Sequence, residues 1–499
     1  MPFYSSIRLL PATLTILGLL SIAGCKFEAD NWVADIPSIG AMSSPAATDL
    51  NGDGVLDIVM GGATREFKST EAGVFALDGV TGNLLWQYPA RNQMVGSPIF
   101  LDITGDGSDD VFIGGRSDQY VALDGNSGTL LWEYAATDPG IDYVNDTTVL
   151  NFFNGQWVPD QDGDGVQDII CAYGGFVKAP AGDPNRPAGY LILLSGATGE
   201  RLQKVRVPDG RETYMSPVVA DFGRGLEVIF GTGGEDLPGR LYLASLSDVV
   251  AGDLSKATIL VDGGDKGFIA PPVLANAIGT DALDVIVSSV DGRLICIDGE
   301  TLQVAWTASP GPDFDTYTMP APGRFSEGGG VDFFASFGKG AWPSSLYNVH
   351  LLIDGQTGQE LWRDTLGTFQ YASPVVQNLY KKSPGDDVLL SINTKSQREV
   401  LGKPTDWYNN TLYVYSEGRG EPIPVFPQTT GSNLGSTPLL TDIDGDEYLD
   451  IITTYMSDAT NFYSFKNLRV ERREVNLRTP TGGWGGYMGP AATAIYQPR

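Results

Sequence analysis

Short apolar runs rich in Val, Ile, Leu and Phe recur along the chain, cut by turns rich in Gly and Asp. Residues 41–62, AMSSPAATDLNGDGVLDIVMGG, show the unit. An apolar entry from Ser44 to Thr48 leads into a nine-residue acidic loop. A β-branched run from Asp57 to Met60 leaves it and stops at Gly61-Gly62. Runs this short, bounded by turn residues, predict strands. The phrase returns at 97–115, 158–175 and 436–454, and more weakly at 216–231, 270–289, 319–338 and 373–392. Eight copies, roughly fifty to sixty residues apart, predict a ring or solenoid of repeats.

Each unit has a second half. GVFALDGVTGNLLWQYPA (73–90) has relatives at 120–136, 190–207, 294–310, 350–366 and, eroded, 412–426. The fourth unit keeps RLYLAS (240–245) and the eighth NFYSFKNL (461–468). This is strand, turn, strand, with glycines for the left-handed turn positions. Trp86, Trp132, Trp306 and Trp362 each stand ten residues after the start of the Ala-Leu-Asp-Gly-type tetrad. A slot kept so strictly points to packing between units more than to ligand stacking. Four strands cannot bury both faces of their sheet, but eight such sheets in a ring can. The expected fold is all-β, an eight-bladed β-propeller of four-stranded antiparallel blades over 31–499. Two segments compete to close it: Asn31–Pro37, whose Trp32 precedes Ser44-Pro45 much as Trp86 precedes Ser97-Pro98, and 488–493, which echoes 42–48.

The acidic loops carry the clearest chemistry. Oxygen-bearing side chains at positions 1, 3, 5 and 9, with the carbonyl of position 7, suit a hard cation. Glycine at position 6 permits the sharp turn. The candidate calcium ligands are Asp49, Asn51, Asp53, Val55 and Asp57; Asp102, Thr104, Asp106, Ser108 and Asp110; Asp160, Asp162, Asp164, Val166 and Asp168; and Asp442, Asp444, Asp446, Tyr448 and Asp450. About four ions are expected. Glu447 replaces the glycine of the fourth loop and should strain it. Units 8, 1, 2 and 3 keep the loop, so in a closed ring they form one arc, which implies a bracing role and not a catalytic one.

The first halves resemble FG-GAP repeats of integrin-type propellers, with their Asp-x-Asn/Asp-x-Asp-Gly-x-x-Asp calcium loops. The second halves resemble the tryptophan-docking repeats of quinoprotein-like (PQQ-like) eight-bladed propellers. Together these likenesses cover about 31–499 and imply architecture and calcium. Quinoprotein alcohol dehydrogenases carry an adjacent cysteine pair above the cofactor, and no two cysteines are adjacent here, so bound PQQ is not expected.

Residues 1–24 read as a leader, with Arg8 before the apolar core Leu9–Ile22. Ile22-Ala23-Gly24-Cys25 resembles a bacterial lipobox, which implies a lipidated Cys25, a tether over 25–30 and membrane attachment without spanning. Lys26 stands where enterobacterial inner-membrane lipoproteins carry Asp, so the outer membrane is favoured. Cys171 and Cys296 fall in separate units, and no disulfide is expected. The net charge of −29 argues against nucleic-acid or anionic-lipid partners.

Strand alternation puts the acidic loops and Asp-Gly turns on one face and the longer loops, 62–72, 136–157, 175–189, 337–348 and 392–411, on the other. Tyr143, Tyr214, Tyr317, Tyr371 and Tyr487, with Trp342 and Trp407, make that second face the candidate binding face for a glycan or an envelope protein. The single histidine, His350, begins a strand and supports no Ser/His/Asp or Cys/His set. The expected function is a calcium-stabilised, lipid-anchored binding or scaffolding module of the bacterial envelope. Its nearest analogue by resemblance is the propeller lipoprotein of the outer-membrane protein assembly machine. The alternatives are a quinoprotein-type oxidoreductase or polysaccharide lyase, with a Tyr or Arg replacing histidine, and a surface adhesin.

Overall fold

The two hairpins of each unit lie side by side in one antiparallel sheet. The computed structural model describes residues 31–65, 68–134, 145–176, 178–180, 182–280, 282–326, 329–340, 344–379, 385–480 and 482–498. The leader, Cys25 and its tether, Tyr143 and Trp342 lie outside them. Blade 1 runs outward from the axis as Ala46–Thr48, Asp57–Gly61, Thr70–Leu77 and Leu84–Ala90. Eight such sheets form an all-β, eight-bladed propeller of four-stranded antiparallel blades. One six-residue helix, Leu246–Ala251, replaces the Asp-Gly turn of blade 4; Ser245 caps it and Gly252 ends it at φ 75°.

The entry residues of six units, Ser-Pro in four of them, clasp the inner strands together. The Ser44 N–H donates to Ser97 Oγ, the Ser97 N–H to Asn154 Oδ1, and the Asn154 N–H to Ser216 Oγ. The Met319 N–H donates to Ser373 Oγ, Ser373 to Thr437 Oγ1, and Thr437 back to Ser44 Oγ. Each clasp satisfies a buried backbone donor with the hydroxyl or amide of the next blade. Blades 5 and 6 start at Ala270 and Met319, which carry no such acceptor.

At the outer edge the tryptophans do the same work. Trp86, Trp132 and Trp306 donate from Nε1 to the carbonyls of Gly125, Gly196 and Gly355 in the next blade, at 2.7–2.9 Å. Each ring rests on the last glycine of that turn, where a Cβ would fall within 2.7 Å of it. Trp362 meets a turn that has lost this sequence and packs on Phe334 and Tyr415.

The N-terminal segment closes the ring. Asn31–Pro37 pairs antiparallel with Asn467–Arg478 and is the outer strand of blade 8. Trp32 fills the tryptophan slot, donating to Gly79 O at 2.8 Å. The 488–493 echo makes no strand, because Met488, Gly489, Ala491 and Ala492 have φ between 50° and 69°, which breaks an extended chain. Those residues belong to a tail that leaves the acidic-loop side, with the Thr479 N–H bonded to Glu447 O. The tail bridges the inner strands across the axis: Trp484 pairs with Val376, the Leu440 N–H reaches Gly485 O, Gln156 Nε2 reaches Ala492 O, and Leu274 bonds Ala494 and Tyr496. Trp484, Met488, Ala494 and Tyr496 are buried there.

Segment 392–411, expected as a loop, is instead the outer part of a ribbon formed by Asp387–Val400 and Lys403–Tyr415. Its Thr, Asn, Trp and Tyr residues pair across strands without the apolar run that marks a strand in a sequence.

Candidate functional site

The acidic loops sit where the alternation places them, on the face of the Asp-Gly turns. In each, the position-1 carboxylate caps at least two backbone N–H groups. Asp49 takes those of Gly52 and Gly54, Asp102 those of Gly105 and Gly107, Asp160 those of Gly163 and Gly165, and Asp442 those of Gly445 and Glu447. Asn51 accepts from Asp53 N–H, and Asp53 from Val55 N–H. This winds the loop so that side-chain oxygens converge. Asp160, Asp162 and Asp168 bring one oxygen each within 4.8 Å of one another, as do Asp442, Asp444 and Asp450. Loops 1 and 2 carry Asn51 and Thr104 at the third position. The carbonyl positions are Val55, Ser108, Val166 and Tyr448.

The position-9 aspartate has a second task. Asp57 Oδ2 accepts from Leu50 N–H, and Oδ1 from Gly79 N–H in the neighbouring turn, which ties the two hairpins together. Asp110 and Asp168 repeat this with Gly125 and Gly196. So do Asp284 and Asp387, with Gly299 and Glu417, in blades whose loops have lost the acidic pattern, and Asp332 keeps the turn half of it with Gly355. The residue is kept for this bracket whether or not the loop is acidic. Burial pushes Asp57 and Asp168 up to about 6 against the pull of their backbone bonds. In the fourth loop Glu447 has φ 71°, the left-handed conformation that Gly54 and Gly165 adopt without a side chain.

On the opposite face a cavity of about 580 Å³ opens at the channel mouth. Tyr214, Tyr317, Tyr371 and Tyr487 all line it. Tyr487, on the tail, forms part of the wall. Tyr317 and Tyr371 meet edge to face at 5.7 Å. The Tyr317 hydroxyl is buried without a hydrogen-bond partner. Trp407 stands apart on the projecting ribbon, with the Arg398 guanidinium 4.5 Å from its ring centroid.

The charged wall of this cavity was missed by the sequence reading. Arg186 Nη2 bonds Asp236 at 2.8 Å, and Nη1 bonds both Glu212 oxygens at 3.2 Å and the Tyr214 hydroxyl at 3.0 Å. Tyr214 donates in turn to Glu212 at 2.6 Å. Burial first, then the Glu212 charge, pushes the Tyr214 hydroxyl far up. The signal was position: Arg186 lies in the long segment 175–189, and Glu212 stands two residues before Tyr214.

His350 belongs to the core. Its Nε2–H donates to Leu366 O, Nδ1 accepts from Ser336 Oγ–H, each at 2.9 Å, and burial lowers its pKa to about 4. Cys171 and Cys296 are free and buried.

The comparisons agree on the repeat type. A family model described as Outer membrane protein assembly factor BamB matches residues 70–235. No curated protein matches the sequence. Among solved structures, a europium-containing methanol dehydrogenase superposes with a TM-score of 0.57 at 11% identity, covering 89% of this chain and 93% of that one. Quinohemoprotein alcohol dehydrogenase from Comamonas testosteroni gives 0.55 at 13%, covering 91% and 78%. The exotype rhamnogalacturonan lyase YesX gives 0.52 at 13%, covering 88% and 75%. At these identities the likeness is one of fold.

Proposed function

We propose that the protein is a binding module of the bacterial cell envelope: a propeller held to a membrane, with the outer membrane favoured, through lipidated Cys25, braced by calcium on its acidic-loop face. Its opposite face takes an envelope protein or a glycan. The observation that carries the reading is the tyrosine-lined cavity at the channel mouth, with ordered charged groups on one wall and the tail residue Tyr487 in its lining. Aromatic faces and a few fixed polar groups are the chemistry of recognition. The partial match to the BamB family model supports the same class. In the acidic loops the side chains at positions 1, 3, 5 and 9, with the position-7 carbonyls, would hold the ions, whose chemistry there is charge neutralisation.

Catalytic readings have less support. The Tyr214 hydroxyl lines the cavity, but burial and the Glu212 charge hold its proton on, which speaks against it as a lyase-type base. For PQQ, the tail residues Trp484, Met488 and Tyr496 take up the channel axis. That placement, and cysteines that are nowhere adjacent, speak against bound PQQ.

A pull-down from solubilised envelope, with wild type and a Tyr317→Ala/Tyr371→Ala variant run in parallel, tests the reading. A protein or glycan retained by wild type and lost by the variant supports it. Equal capture by both would move the binding surface elsewhere, and quinone-dependent turnover would replace it with the oxidoreductase.

A further inference from the structure

The fourth acidic loop differs from the other three in what faces it. Arg472 is buried, its side chain 1% exposed. Its Nε bonds Asp450 Oδ1 at 2.8 Å, and Nη2 bonds Asp444 Oδ2 at 2.6 Å and Asp450 Oδ2 at 3.2 Å. Its Nη1 reaches across the closing seam to Gly79 O at 2.9 Å, the carbonyl that Trp32 Nε1 also holds. A guanidinium is thus already bonded to two of the carboxylates that the loop would offer a metal.

The register shows how unusual this is. Arg472 pairs with Ile452, two residues past the bracket aspartate Asp450. The equivalent partners in other blades are Ala76, Ala122, Leu193, Cys296, Leu352 and Val414, all apolar. Topology supplies the reason. In blades 1, 2 and 3 the Oδ1 of the bracket aspartate accepts the N–H of Gly79, Gly125 or Gly196, in the turn before the outer strand. Blade 8 has no such turn, because its outer strand comes from the N-terminus. Arg472 Nε occupies the vacated position on Asp450 Oδ1 and brings a full positive charge with it. A fixed charge at hydrogen-bond distance from two ligands opposes a divalent ion by like-charge repulsion and by using ligand lone pairs.

We infer that Arg472 is the built-in cation of the fourth loop, so that the protein binds three calcium ions, in the loops at 49–57, 102–110 and 160–168, and closes its ring without metal. The inference rests on the calcium reading of the other three loops. Equilibrium dialysis of the full chain against calcium, with bound metal counted by mass spectrometry, tests both. The expected counts are three ions for wild type, three for Asp442→Asn and two for Asp160→Asn. Four ions in wild type falling to three in Asp442→Asn would overturn the role of Arg472 and leave calcium binding standing. No bound calcium in any of the three proteins would overturn both. Arg472→Met, if it folds, is expected to raise the count to four, and an unchanged count of three in that folded variant would count against the guanidinium as the reason. The Asp442→Asn comparison decides if Arg472→Met does not fold.

Discussion

His350 shows how one side chain can set a pH response far from any chemistry. The ring is buried against Phe334 and has both nitrogens bonded, and its pKa falls from 6.5 to about 4. Because the folded value is depressed, the unfolded chain takes up the proton first as pH drops. The native state therefore loses stability from about pH 6.5 down to about pH 4. At roughly 1.4 kcal/mol per pH unit the loss is about 3 kcal/mol. Denaturant melts of wild type and His350→Gln across that range should show the steeper slope in wild type. The sequence placed this histidine in a strand with no catalytic partner, which left packing and surface both open; its burial and its two bonds come from the structure. It gave no hint of Arg472, since a lone arginine in a charged strand looks solvated until its register against Asp450 is known. Glu447 was the opposite case: one residue where the loop wants glycine is legible at once, and its φ of 71° agrees.

Among elements, the outer strands carry the seams. Trp132 rests on Gly199, whose φ is 69° and whose added Cβ would lie 2.3 Å from the ring. Gly199→Ala meets both a left-handed backbone and an occupied volume, and should cost about 2–3 kcal/mol in a chemical melt. Trp32→Ala removes the same kind of contact at the seam where the outer strand is not continuous with the rest of its blade. A loss of about 3–5 kcal/mol is expected, together with faster proteolysis of the 31–37 strand. The repeat and the tryptophan slot made these contacts legible, because packing chemistry recurs in every blade. The closing strand was only half legible: two terminal segments echoed a repeat, and the left-handed backbone that disqualifies 488–493 comes from its tertiary bonds inside the channel. The ribbon at 392–411 escaped for a related reason. Its pairing is polar, and polar pairing leaves no apolar run.

For the whole molecule, the tail and the loops divide the ring into parts with different dependences. The seam between blades 8 and 1 holds through Trp32, Arg472 and the Thr437–Ser44 clasp, all within the chain. The loops of blades 1 to 3 have no such guanidinium at the equivalent position, so their clustered carboxylates should depend on calcium. A site of Kd about 10⁻⁴ to 10⁻³ M, in about 1 mM calcium, contributes roughly 0.4–1.4 kcal/mol. Chelation should therefore act locally before it acts globally. Hydrogen exchange with and without chelator is expected to show protection lost at 49–57, 102–110 and 160–168 and retained at 442–450. Uniform loss over all four loops would mean that the fourth is a metal loop like the rest. The cavity lies on the opposite face, walled by ion pairs and by the tail residue Tyr487, and neither wall contains an acidic loop. Partner capture should then survive moderate chelation at temperatures where the ring stays folded, whereas Tyr317→Ala/Tyr371→Ala should abolish it with calcium present. The two treatments separate what holds the propeller together from what it holds.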